Sequence, residues 1–331
     1  MPKENILNSA LQDENDVRFY DYHPEMSDFY SEVIDGLQAQ PKKIPPKFFY
    51  DEPGSRLFEK ICELPEYYPT RTEQSILKDH ADNIADILGD HPYIIEPGCG
   101  SCEKIKLLLD ILKPKAYVPM DISRDFLQES ARELSDEYPW LDIHAACVDF
   151  TAPISLPFCP AGVRKLAFFP GSSIGNFEPK QAAVFLKQVA DMVGINGGLL
   201  IGVDLKKEHS ILNDAYNDQA GVTADFNLNL LARINSELDA DFDLDAFEHH
   251  AYYNDELGRI EMHLVSQKSQ EIKIGEKLVG FELGESIHTE SSYKYSVSEF
   301  QALGESAGFT PVEVWTDESQ LFSVHYFEKK E

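Results

Sequence analysis

The residues best suited to chemistry in this chain stand where apolar runs stop. Tyr93-Ile94-Ile95 leads into Glu96, Pro97 and then Gly98-Cys99-Gly100, with helical spacing behind it at Ile105, Leu108, Leu109 and Leu112. An apolar strand, a tight glycine turn and a helix N-terminus are how α/β proteins build a nucleotide-sized pocket. Gly98 and Gly100 lack Cβ, so the backbone there can bend sharply and a ligand can come close. A second run, from Ala116 to Met120, ends in Asp121, 25 positions after Glu96. An acid at that place typically holds the two hydroxyls of an adenosine ribose. The third glycine of a G-x-G-x-x-G dinucleotide fingerprint is missing, so no pyrophosphate cradle is evident. An S-adenosylmethionine pocket needs none, and the departure favours a methyl donor over a dinucleotide.

Other reactive residues read more plainly. Cys99-Gly-Ser-Cys102 has redox spacing, but it sits within the glycine turn and has no second pair to complete a metal site. His249 and His250 would point to opposite faces of a strand. His209 and His263 are lone histidines without ligand spacing, and Glu282 with Glu285 reads as a solvated pair. No metal is expected. In Leu64-Pro65-Glu66-Tyr67-Tyr68-Pro69 the prolines hold paired tyrosines rigidly, either as a wedge between domains or as a pocket wall. Taken alone, Thr289-Glu290-Ser291-Ser292 reads as an exposed polar turn leading into the last helix.

The scaffold for these residues is legible from Thr72 onward. Helices are expected over 72–88, 101–112, 123–138 (with Ser123 as N-cap) and 179–193. Strands are expected over 93–96, 117–121, 143–148, 165–169 and 199–205. Strands and helices alternating in this way make a parallel sheet covered on both faces, which binds ligands at the carboxyl ends of its strands. Glu96, Asp121, Asp149-Phe150 and Asn176 all fall at or just beyond such ends. The regularity breaks after Leu205. Residues 210–243 read as helical, and 249–253, 259–265 and 270–274 as antiparallel strands, an insertion with its own small sheet. A helix over 296–308 and strands over 310–315 and 322–327 close the chain. That final hairpin is characteristic of S-adenosylmethionine-dependent methyltransferases and is usually absent from dinucleotide dehydrogenases.

The expected fold is therefore α/β, a Rossmann-like class I S-adenosylmethionine-dependent methyltransferase with a terminal antiparallel hairpin, joined to a smaller α+β substrate-binding domain. Residues 71–206 and 294–331 form the first part, 26–70 and 207–293 the second, and 1–25 a loosely held arm. With 331 residues, 43% hydrophobic and 26% charged, the chain can bury a sizeable core. Its formal net charge of −29 repels phosphate backbones and anionic lipid, which argues against nucleic-acid and membrane partners. Five scattered cysteines suit a reducing cytoplasm, and the polar N-terminus does not read as a signal peptide.

Several long motifs, in order, carry a resemblance to a known family. They are Phe49-Tyr50-Asp51, Leu64–Arg71, Gly171-Ser-Ser-Ile-Gly-Asn176, Ala220–Asn227, Asp241–Phe247, Arg259–Leu264 and Thr289–Ser292. From about Ser27 the chain resembles the histidine-specific Nα-methyltransferases of ergothioneine biosynthesis (the EgtD family). It departs at Pro97 and Cys99, while Gly98 and Gly100 remain. The resemblance implies that Gly98, Lys104, Asp121, Asp149 and Phe150 contact S-adenosylmethionine, the methyl donor. It implies that Asn176 and Tyr216 hold the histidine carboxylate and that Tyr67, Glu290 and Ser292 read the imidazole. Tyr50, Phe58 and Met262 would line the pocket near the amine, with Tyr50 at most a positioner of the amine or of a water. Three methyl transfers would convert histidine to hercynine. A monomer acting on a small molecule is expected. The competing readings are a relative acting on another amino acid such as tryptophan, a NAD-dependent oxidoreductase, and a non-catalytic binding protein.

Overall fold

The apolar runs that alternate with helices, and the closing hairpin, become strands of one sheet. In the computed structural model, which describes residues 11–12, 17–22, 27–89, 91–150, 156, 158–160 and 162–330, nine strands lie side by side. Their spatial order is Leu11–Gln12, Arg18–Asp21, His144–Cys147, Ala116–Asp121, Tyr93–Pro97, Lys165–Phe169, Gly198–Asp204, Phe322–Glu328 and Thr310–Thr316. From Arg18–Asp21 to Gly198–Asp204 all neighbours are parallel. Phe322–Glu328 then runs antiparallel between Gly198–Asp204 and Thr310–Thr316. The central strands are buried at almost every position. They read as continuous rather than alternating apolar runs because both faces are covered. Chain order reverses between Tyr93–Pro97 and Lys165–Phe169, the switch point where such sheets bind ligands. This is the Rossmann-like class I methyltransferase fold with its terminal antiparallel hairpin.

Three local expectations change. The helix expected over 72–88 is two helices, Tyr68–Asp79 and Ala81–Leu88, because the backbone leaves helical geometry at His80 (φ −113°, ψ 11°). The break lets Ile76, Leu77, Ile84 and Leu88 enter one core. Ser123 stands at the N-cap of Arg124–Glu137 without a side-chain capping bond. Its own N–H donates instead to Asp121 Oδ1 at 2.9 Å. Of the arm expected over 1–25, residues 1–10, 13–16 and 23–25 lie outside the described residues. Arg18–Asp21 is a sheet strand rather than loose chain: Val17 and Phe19 are buried, and the Arg18 guanidinium reaches Asp142 at 2.6 Å.

A second sheet orders Lys42–Lys43, Ser286–Tyr293, Arg259–Ser266 and Phe247–Asn254. Gln270–Ile274 pairs apart from it with Lys277–Phe281. The polar stretch 289–292 is thus not an exposed turn. It lies in a strand hydrogen-bonded to Arg259–Ser266, with Thr289 1% and Ser292 3% exposed. Its hydroxyls and carboxylate overrode the local preference for a turn because the neighbouring strand supplies backbone partners and tertiary packing covers it. Beneath this sheet helices Ser27–Gln38, Glu52–Glu63 and Val222–Leu238 build an apolar core (Val33, Phe49, Leu230, Ile260, Leu264, Ile287) distinct from the cores flanking the large sheet.

Candidate active site

At the switch point the glycine turn is closed by its neighbours. Gly98 has φ +67°, and a Cβ there would meet the Phe150 ring at 3.2 Å. Glycine is therefore required both for conformation and for space. Asp121, at the end of the adjacent strand, accepts from Gly100 N–H through Oδ2 (3.1 Å) and from Ser123 N–H through Oδ1. Each carboxylate oxygen retains a lone pair, so this acid can still take a diol. Gly98, Asp121 and Phe150 thus form one wall suited to an adenosine group. Lys104 lies beside Gly171 but spends its ammonium on the buried Glu73 at 2.6 Å. Glu73 also accepts from Gly171 N–H at 2.9 Å. Asp149 is held at 3.2 Å by Lys47, which reaches it from the turn preceding Tyr50.

Across Gly171 a cavity of about 570 Å³, part of it open to solvent, opens between the two sheets. All eight residues expected to contact the acceptor line it: Tyr50, Phe58, Tyr67, Asn176, Tyr216, Met262, Glu290 and Ser292. They come from seven segments. Tyr50 follows the turn Pro46–Phe49. The Asp51 side chain caps helix Glu52–Glu63 by accepting from Gly54 N–H, and that helix carries Phe58. The paired tyrosines divide. Tyr67 faces the cavity, while the Tyr68 hydroxyl, one residue into a helix with Pro69 in its first turn, donates to Asp204 at 2.7 Å. Tyr216 ends the short helix His209–Ala215. Asn176 ends the turn Ser173–Asn176, and a Cβ on Gly175 would strike Tyr293 O at 2.8 Å, so glycine allows the turn to press against strand Ser286–Tyr293. That approach brings Asn176 Nδ2 to 3.4 Å from Glu290. Met262 pairs with Glu290 across a β-bulge, a distortion that re-aims side chains beside sites.

A model of S-adenosylmethionine-dependent, histidine-specific methyltransferases matches residues 29–329. The chain is 41% identical over 299 residues to a histidine N-alpha-methyltransferase of Mycobacterium tuberculosis (strain CDC 1551 / Oshkosh), covering 88% of this chain and 92% of that protein. It belongs to this family. Identity is 40%, over the same shares, to the histidine N-alpha-methyltransferase of Mycolicibacterium smegmatis. To Ergothioneine biosynthesis protein 1 of Neurospora crassa it is 32% over 284 residues, covering 83% of this chain but 32% of that longer protein.

Within this methyltransferase the two pockets differ in electrostatics. Burial pushes the Glu290 carboxyl up to about 7, with Lys294 pulling it back. Among the described residues the long contact from Asn176 is its only hydrogen bond, so it faces the cavity as an underused acceptor. Burial, then the charge of Glu290, hold the Tyr50 phenol well above its ordinary value, and Asp121 adds to this. Tyr50 therefore stays protonated at neutral pH. Beside the glycine turn, burial raises Glu96 to about 8, against a 2.6 Å hydrogen bond from Tyr117.

Two functional candidates escaped the sequence reading. Asp204 ends strand Gly198–Asp204, a position equivalent to those of Asp121 and Glu96, and that signal was available. Lys294 continues the period-two series Glu290, Ser292, Lys294, all of which line the cavity. Lys294 and Asp204 form a buried ion pair at 2.7 Å. One reading is corrected: His263 is not alone. Register sets it opposite His288 and beside Glu261. Its ring stacks on His288 at 4.9 Å and 19°, so the two in-plane nitrogen lone pairs do not converge. Glu261 is already taken by Arg259, Tyr252 and Asn254. The cluster reads as packing rather than a metal site.

Proposed function

We propose that this chain transfers three methyl groups in succession from S-adenosylmethionine to the α-amine of L-histidine, giving hercynine, the first step of ergothioneine biosynthesis. The reading rests on one observation above the others: the acceptor Glu290 and the hydroxyl of Ser292 face a single cavity that Gly171, just past the end of a central sheet strand, also lines. An imidazole offers one N–H and one bare nitrogen, which those two groups complement. An indole has a single N–H and would leave one of them unpaired, a costly outcome in a buried site.

The donor, when bound, supplies a methyl group made electrophilic by a sulfonium. The chain's own task is alignment, and positioning of this kind can supply ~7–11 kcal/mol of a barrier. The nucleophile is the neutral amine. The carboxylate of a free amino acid holds its ammonium above the roughly 7.7–8.0 of a peptide terminus, so most of the amine arrives protonated at neutral pH, and a desolvated pocket favours loss of that proton. Tyr50, a phenol at this pH, can orient the amine or a water but does not act as a phenolate. Asn176 and Tyr216 supply donors for the substrate carboxylate. Phe58 and Met262 exclude water around the reacting amine, and Tyr67 joins Glu290 and Ser292 at the ring.

The division into a donor-binding part (71–206, 294–331) and an acceptor-binding part (26–70, 207–293) belongs to the same proposal, as do a monomeric state and a cytoplasmic location. Among the described residues no helix is long and apolar enough to cross a membrane. The test is a product screen by mass spectrometry, with purified protein, the methyl donor and each amino acid separately. Histidine carrying three added methyl groups, with little product from the others, supports the proposal. Methylation of tryptophan instead would retain the donor and sink the roles given to Glu290 and Ser292.

A further inference from the structure

Behind the acceptor cavity lies a buried charge cluster that the proposed reaction does not use. Lys294 and Asp204 are each about 1% exposed at their side chains and pair at 2.7 Å. Asp204 also accepts from Tyr68 and pairs with Lys207. Two lysines against one carboxylate leave the cluster positive on the side facing the cavity. A buried ion pair adds little stability over apolar packing, so its position directly behind the ligand-facing hydroxyls calls for a second reason.

Counting hydrogens supplies one. An ammonium has three donors and no acceptor; a hydroxyl has one donor and two lone pairs. Lys294 spends its three donors on Asp204 (2.7 Å), Ser292 Oγ (2.9 Å) and the Tyr216 hydroxyl (3.2 Å). The Tyr216 hydroxyl in turn donates to Ser292 Oγ at 2.9 Å. Both lone pairs of Ser292 are then filled, and its own hydrogen has no acceptor among the described residues. While Tyr216 donates to Ser292 the wall offers the cavity the Ser292 hydrogen; with Tyr216 turned to a ligand, Lys294 still occupies one Ser292 lone pair, and Glu290, two residues along the same strand face, offers lone pairs.

We propose that Lys294 is a positioning and specificity residue whose ammonium, by occupying a lone pair of Ser292, turns the Ser292 hydrogen toward the cavity, so that the acceptor's ring is bound neutral, with its bare nitrogen to Ser292 and its N–H to Glu290. The inference rests on the histidine reading above. It explains why the clamp contains a serine rather than a second carboxylate: two carboxylates would capture an imidazolium, whereas a serine backed by a lysine rejects one. The charged or titratable groups lining the cavity are Tyr50, Tyr67, Asp204, Tyr216, Glu290 and Lys294, with Lys207 paired to Asp204.

The test uses L-histidine labelled with 15N in the ring, bound to the full-length enzyme together with the demethylated donor, near the free ring's pKa of about 6.5. The expected spectrum shows one pyrrole-type and one pyridine-type nitrogen. The double variant Asp204→Asn/Lys294→Met removes both charges and frees a lone pair on Ser292. Imidazolium should then appear, and KM for histidine should rise about tenfold, the scale of one lost hydrogen bond, while donor affinity is unchanged. Two pyrrole-type nitrogens in the wild type would overturn the inference, as would a double variant matching the wild type in spectrum and KM. If the variant fails to hold the donor, the wild-type spectrum alone decides. Histidine methylated as an imidazolium sinks this inference only; histidine neither bound nor methylated overturns the proposed function as well.

Discussion

On the proposed reading, the donor side and the acceptor side of this enzyme recognise their ligands by different means. Around Gly98 the work is done by backbone: a left-handed glycine, N–H groups gathered by Asp121, and a Phe150 ring filling the space a side chain would need. Around Glu290 it is done by buried charge and hydroxyls drawn from separate segments and backed by the Lys294–Asp204 pair. The difference teaches where specificity resides. A backbone cradle accepts an adenosine group from any sequence that bends correctly, whereas a side-chain clamp fails when one polar atom changes.

That contrast makes separable predictions. Glu290→Ala should lower kcat/KM for histidine by about 10³–10⁴, the penalty for losing the partner of a buried N–H, and leave donor affinity intact. Initial rates and calorimetric titration of the donor check the two halves independently. A parallel loss of donor binding would break the separation.

The next effect is on stability. The Glu290 carboxyl is held up at about 7 against an ordinary 4.5, burial being the main cause. Between those values the native state binds more protons than the unfolded chain. Its contribution is therefore most favourable below pH 4.5 and is lost as pH rises through 7. Replacing the acid by a neutral isostere, Glu290→Gln, should leave stability near pH 4.5 little changed. At pH 8 it should raise stability relative to wild type by on the order of 2–3 kcal/mol, even as histidine turnover falls. Denaturant titrations at the two pH values measure it; equal stability at pH 8 would mean that the carboxylate is not strained by burial.

Smaller again is the donor-side counterpart. Gly98→Ala forces a side chain into left-handed backbone at ~1–2 kcal/mol and presses Phe150 at 3.2 Å. Donor affinity should fall about tenfold, with little change in the affinity for histidine. Titration with each ligand separately tests this.

The same contrast explains what could be read from the chain. The donor side was legible because its signals are local: apolar runs that stop at Glu96 and Asp121, two glycines, and a closing hairpin. The acceptor side was not legible from physics, because Tyr67, Asn176, Tyr216 and Glu290 are separated by long stretches and meet only in the tertiary fold. Position at a strand end pointed to Asn176 and the prolines left Tyr67 open as a pocket wall, but resemblance alone brought in Tyr216 and Glu290 and joined the four. Thr289–Ser292 looked like a turn because its residues are polar, and burial came from the neighbouring strand. Lys294 was within reach, two positions past Ser292 on the same face, and was passed over because a single lysine usually marks solvent. Arg18–Asp21 was missed because four residues give too short a pattern for its two apolar positions to register.

The most direct test of the account is a crystal structure with histidine and the demethylated donor bound together. It should show one ring nitrogen within hydrogen-bonding distance of Glu290, the other on Ser292, and the α-amine turned past Tyr50 toward the donor's sulfur. A ring bound elsewhere, or an amine pointing away from that sulfur, would contradict it.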